Sequence, residues 1–124
     1  MTLQVLRARA MFQTGNDASD YMEFEPALTQ YANEAYDALA FARDKARLSD
    51  EEGAPYPPLV NADDEPALPE WMHPSIADYA SYMLYRTGNP SKQQRGMLFL
   101  QAFERVRGQA MKGENGYNNF INYR

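Results

Sequence analysis

The stretch Leu68-Pro-Glu-Trp-Met72-His-Pro-Ser-Ile76-Ala-Asp-Tyr79-Ala80-Ser-Tyr82-Met83-Leu-Tyr85-Arg-Thr87-Gly88-Asn89-Pro90 decides the fold. Met72, Ile76, Tyr79, Ala80, Met83 and Thr87 recur at three- and four-residue intervals, the spacing of one buried helix face. The helix begins near Pro69 or Pro74, since proline suits a first helical turn. Gly88-Asn89-Pro90 then stops it, turns the chain and starts the next helix. That helix runs from Pro90 or Ser91 to about Met111. Met97, Leu100, Phe103, Val106 and Ala110 form its apolar face, widened by Phe99. So short a turn predicts an antiparallel pair. Gly96 and Gly108 each weaken this helix by roughly 1 kcal/mol. Gly96 is either a point of close approach for a neighbour or a plain weak spot.

Upstream, the chain changes character. Six of the eight prolines lie within residues 51–74. Proline removes backbone donors and blocks helix interiors, so this segment reads as a long ordered loop, with a short hairpin considered at Leu59 to Asp64. Before it, Phe24, Leu28, Tyr31, Ala35, Leu39, Ala42 and Ala46 follow helical spacing. They predict a long amphipathic helix over 26–48, opened by Pro26 and spanning roughly 33 Å. A first short helix covers residues 2–13, with Thr2 as its cap and Leu3, Leu6 and Ala10 on one side. Thr14-Gly15-Asn16-Asp17 ends it.

The fold class is therefore all-α: a small bundle of about four helices, a long proline-rich loop and an extended C-terminal tail. Residues 1–112 form the helical domain and residues 113–124 the tail. Only five residues are Val or Ile, which agrees with helices over strands. At 124 residues the chain fits one domain with a modest core. It has no cysteine, so disulfides, thiolate metal sites and cysteine nucleophiles are excluded. Its start lacks the apolar stretch of a secretory signal, and no window approaches the roughly 18 apolar residues of a membrane span. The expectation is a soluble protein made inside the cell, with no membrane partner.

No constellation for catalysis emerges. Glu70-x-x-His73 places a carboxylate and an imidazole on one helical turn, but di-iron bundles need that motif twice, with further glutamates. His73 is the only histidine, and its ordinary reading is a helix-start residue rather than a metal ligand. No Gly-x-Ser-x-Gly elbow frames a nucleophile and no glycine-rich phosphate loop is present. Asp63, Asp64 and Glu65 read as a solvated acidic loop rather than a calcium site. The expectation is a non-enzyme with no catalytic residues, no metal and no cofactor.

Charge is segregated along the chain. Residues 51–70 hold six acids and no base, whereas residues 90–124 hold six bases against two acids. The net charge of −5 argues against a free-standing nucleic-acid binder. Opposed charges on one chain suit head-to-tail contact between copies. The tail combines Gly and Asn with Tyr117, Phe120, Ile121 and Tyr123, large apolar groups that favour a segment ordering against a partner. Tyr36, Tyr82 and Tyr85 fall off the main apolar stripes, and tyrosine off the core favours interfaces.

This order of elements resembles the small head-tail connector, or adaptor, proteins of tailed bacteriophages. The resemblance covers most of residues 2–112. It rests on Tyr31-Ala-Asn33-Glu34-Ala35 and on the Leu68-Pro-x-Trp71…Ile76…Tyr79-Ala80…Leu84…Gly88-Asn89 pattern. The start of the long helix, Phe24-Glu-Pro26, departs from the acidic, Ser- or Thr-capped start usual in that family. The resemblance implies a structural virion protein. Such proteins form a ring, usually of twelve copies, beneath the portal and extend the DNA channel. They offer a surface to the next neck or tail protein, a stopper or tail terminator. DNA passes through unread. The protein would sit in the virion neck, and in the host cytoplasm during assembly. By similarity, Tyr117, Phe120, Ile121, Tyr123 and Arg124 would contact the portal protein. In a ring, Asp63, Asp64 and Glu65 would meet Lys92, Arg95 or Arg105 of the next copy. The rival reading is a small helical regulatory or protein-binding module that docks through its aromatic tail.

Overall fold

The computed structural model describes residues 1–16 and 21–112. Four helices carry the fold: α1 Leu3–Gln13, α2 Tyr21–Asp44, α3 His73–Tyr85 and α4 Pro90–Met111, with a 3-10 turn at Glu70–Met72 ahead of α3. No strand occurs among the described residues. The protein is an all-α bundle.

Helix α1 starts where expected. Thr2 Oγ1 accepts from the Val5 amide at 3.2 Å, satisfying one of the orphan donors of a helix start. The loop satisfies two more: the Leu3 amide donates to the Asp64 carbonyl at 2.7 Å and Gln4 to Ala62 at 2.9 Å. Leu3, Leu6 and Ala10 are buried as the spacing predicts.

Helix α2 differs from expectation at both ends. It starts at Tyr21, so Pro26 lies inside it rather than opening it. The missing proline donor costs only one early hydrogen bond there. It ends at Asp44, not at residue 48. Lys45 adopts a left-handed conformation, φ 58°, which breaks the helix although Ala46 keeps the apolar period. The chain then doubles back. Asp37 of α2 accepts from the Leu48 amide at 3.1 Å and from Arg47 Nη1 at 2.8 Å. The Arg47 guanidinium lies 4.3 Å from the centre of the Phe41 ring. The non-helical connection therefore occupies residues 45–69 rather than 51–74.

That connection is part of the core. Tyr56, Leu59 and Leu68 are buried in it. Tyr56 donates to the Asp44 carboxylate, and its ring meets Tyr36 edge-on at 6.2 Å. The hairpin considered at Leu59–Asp64 does not form. Instead the Asp64 carboxylate accepts from the amides of Val60, 2.8 Å, and Asn61, 2.7 Å, and closes a turn. A side-chain acceptor replaces the cross-strand partner a hairpin would need.

Helices α3 and α4 form the antiparallel pair. The ring of Tyr79 packs on Phe103 at 5.1 Å, and Tyr85 on Phe99 at 6.2 Å, so positions run in opposite directions along the two helices. Asn89 caps α4 by accepting from the Lys92 amide at 2.9 Å. Gly96 is a point of close approach: a Cβ placed there would lie 3.0 Å from the Tyr85 Cβ. Gly108 faces open space. Two residues assigned to buried faces are exposed, Thr87 beyond the end of α3 and Met97 on α4. Among the described residues α4 packs chiefly on α3 and also on α2, which leaves part of its apolar face exposed.

Candidate interaction surfaces and the Glu65–Glu70–His73 cluster

Asp63 and Glu65 are exposed on the loop, while Asp64 is half-buried because its carboxylate holds the turn. Those two amide donors hold the Asp64 carboxyl below the usual carboxylate range. Asp64 is thus committed within its own chain, and exposed Glu65 pairs with the Met1 amine at 3.2 Å, so Asp63 is the remaining outward acid of the expected trio. On α4, Lys92, Arg95 and Arg105 are all exposed. No ion pair joins these three to the loop's acids among the described residues. The expected portal contacts Tyr117, Phe120, Ile121, Tyr123 and Arg124 lie outside the described residues.

Two of the three tyrosines read as interface residues belong to the core. Tyr36 is fully buried and Tyr85 nearly so. Tyr36 lies on a flank of α2 that the loop covers, and its hydroxyl accepts from the Ala67 amide at 3.0 Å. Burial raises its phenol above the ordinary range. Tyr82 alone is half-exposed.

Apolar residues not singled out as interface candidates from the sequence stand exposed instead. Leu98 is 67% exposed beside Met97 on α4, and Phe12 of α1 is 85% exposed. Val60 and Trp71 are exposed as well, next to Asn61 and Glu70 in the chain. Grooves run on both sides of the N-terminal half of α4. One, about 500 Å³, is lined by Tyr82, Arg86, Pro90, Gln93, Gln94 and Met97. The other, about 440 Å³, lies between α1, α3 and α4 and includes Gln13, Asp78, Arg95 and Leu98. Asp78 Oδ1 accepts from Gln13 Nε2 at 3.3 Å, and burial pushes its carboxyl upward. The sequence signal for these exposed apolar residues was weak, because Leu98 and Phe12 differ from core residues only in phase.

His73 sits at the start of α3, as expected, but it is not alone. Its ring is buried, and Nε2 lies 2.8 Å from the Leu68 carbonyl, which can only accept. Nε2 therefore carries the proton. Nδ1 faces Glu65 and Glu70, and the ligand atoms of the three side chains lie within 4.8 Å of one another. The Met1 amine rests among them, 2.8 Å from Nδ1 and 3.2 Å from each glutamate. Sequence reading found Glu70 and His73; Glu65 joins them only because the loop folds back on α3.

Comparisons with protein-family models, with curated proteins and with solved structures find no match to this chain. No described helix is long and apolar enough to cross a membrane.

Proposed function

We propose that this chain is a structural connector of a tailed-phage neck, assembling as a ring that joins the portal to the next neck or tail protein. The observation that carries the reading is that two exposed segments of one small helical body carry opposite charge beside exposed apolar residues. The segment 60–71 exposes Asp63, Glu65 and Glu70 together with Val60 and Trp71. Helix α4 exposes Lys92, Arg95 and Arg105 together with Met97 and Leu98. Two different, complementary patches favour a heterologous contact, which closes into a ring when repeated by rotation. Charge at the rim sets register and steers encounter, and the apolar centres supply affinity. The resemblance to phage adaptors supports the same assignment, with the tail engaging the portal and DNA passing unread.

The test is capture from a lysate of the cells that encode the chain, after infection or prophage induction. Full-length protein and a form ending at Gly113 serve as baits, and recovered partners are identified by mass spectrometry. Recovery of a portal protein by the full-length form alone supports the connector and the docking tail. Recovery by both forms keeps the connector and removes the tail assignment. Recovery of a host regulator with no virion protein overturns the proposal in favour of a binding module.

A further inference from the structure

We propose that Glu65, Glu70 and His73 form a binding site for a divalent transition-metal ion, with zinc the best chemical fit. Three observations converge on it. First, the imidazole is held as metal-binding histidines are. One nitrogen donates to a backbone carbonyl at 2.8 Å and the ring is buried, so the other nitrogen presents a fixed lone pair. Second, two carboxylates contributed by different elements, the loop and the turn before α3, lie beside that nitrogen, Glu70 Oε2 at 3.5 Å. Third, the cluster already attracts a cation. The Met1 ammonium makes contacts of 2.8 to 3.2 Å with all three side chains.

The ligand set selects the metal. Calcium and magnesium require all-oxygen shells, whereas one imidazole with carboxylates suits zinc and its neighbours. Zinc takes ligands at about 2.0–2.2 Å, which places tetrahedral ligand atoms about 3.3 Å apart. The present separations lie within 4.8 Å, with His73 Nδ1 and Glu70 Oε2 3.5 Å apart. Both glutamates are exposed and long, so they can close that difference by rotating while His73 stays fixed. The ion takes the place of the ammonium, and water fills the fourth position. The ammonium is then a competitor: a chain in which this amine is absent has the same three ligands and no internal cation. The site shares Glu65 and Glu70 with the acidic segment of the connector reading, but its test reads metal binding alone and does not rest on that reading.

Zinc titration calorimetry tests this on the full chain, on a chain extended by Gly-Ser ahead of Met1, and on extended chains carrying Glu70→Gln or His73→Gln. The extended chain is expected to bind one zinc per chain, at least tenfold more tightly than the unextended one. Each substitution is expected to weaken that binding tenfold or more, and cobalt in the same site should show the visible absorption of a four-coordinate ion. Glu70 is exposed, so Glu70→Gln remains a valid test if His73→Gln fails to fold. No saturable one-to-one binding by the extended chain, or binding that Glu70→Gln leaves unchanged, overturns the proposal.

Discussion

The side chain of Asn33 in α2 pairs with the backbone of Leu59 as a neighbouring strand would. Its Nδ2 donates to the Leu59 carbonyl at 2.9 Å, and its Oδ1 accepts from the Leu59 amide at 2.8 Å. One amide side chain thus satisfies both backbone groups of a buried loop residue. Asn33→Ala should leave those groups without partners and destabilise the fold by about 2 kcal/mol. Asn33→Asp should also be destabilising, since a carboxylate can accept but not donate. Urea denaturation of the three proteins checks this. Equal midpoints would show that the loop is held by its apolar residues alone.

The two glycines of α4 should respond in opposite ways. Gly108 faces open space, so Gly108→Ala should stabilise by up to about 1 kcal/mol through helix propensity. At Gly96 an added Cβ would sit 3.0 Å from the Tyr85 Cβ, an atom fixed to the backbone of α3. The helices must separate to admit it, and overpacking of this kind costs about 1–3 kcal/mol. Gly96→Ala should therefore lower the melting temperature while Gly108→Ala raises it.

Asp78 gives a pH dependence whose sign is fixed. Burial raises its carboxyl in the folded chain, so the folded state holds the proton to higher pH than the unfolded chain does. The cost of burying the charge is absent below the unfolded pKa. It grows as pH rises through the folded value and is complete above it. Asp78→Asn keeps an oxygen to accept from Gln13 and removes the charge. It should raise the melting temperature at pH 7, with the difference from the natural chain shrinking toward pH 3. A constant difference across that range would refute the assignment.

Tyr79 should be among the last tyrosines to ionise. Burial, then the Glu34 carboxylate that accepts from its hydroxyl at 3.0 Å, push its phenol up to about 12. Unfolded tyrosine ionises near 10, so the associated stability is present below that pH and is lost as pH rises from about 10 to 12. Ultraviolet titration should show a late phase that Tyr79→Phe diminishes. An unchanged late phase would assign it to Tyr36 and Tyr56, whose phenols are also raised.

The helices of this protein were legible because their signals are local. Thr2 and Asn89 cap by reaching three residues along their own chain, and Gly88-Asn89-Pro90 forces a turn whatever lies around it. The short turn between α3 and α4 predicted their antiparallel pairing, which the Tyr79–Phe103 contact realises. Local signals failed where a distant partner prevailed. Helix α2 stops at Asp44 because Lys45 turns left-handed and Asp37 takes the returning chain, although the period runs on to Ala46. Tyr36 and Tyr85 looked like surface tyrosines because a helix stripe counts only one buried face. The loop covers a second face of α2, and Gly96 lets α4 close over Tyr85.

The sequence by itself determined an all-α chain, its turn points, its lack of thiol chemistry and the division of charge between its middle and its end. Tertiary structure decided which exposed groups share a surface. It brought Glu65 from the loop to Glu70 and His73, committed Asp64 to its own turn, and left Leu98 and Met97 outside the core. The physical reason is range. Helix and turn preferences act over a few residues, whereas the order of a proline-rich loop depends on side chains such as Asn33 and Tyr36, 26 and 31 residues away, that supply the hydrogen bonds it cannot make within itself.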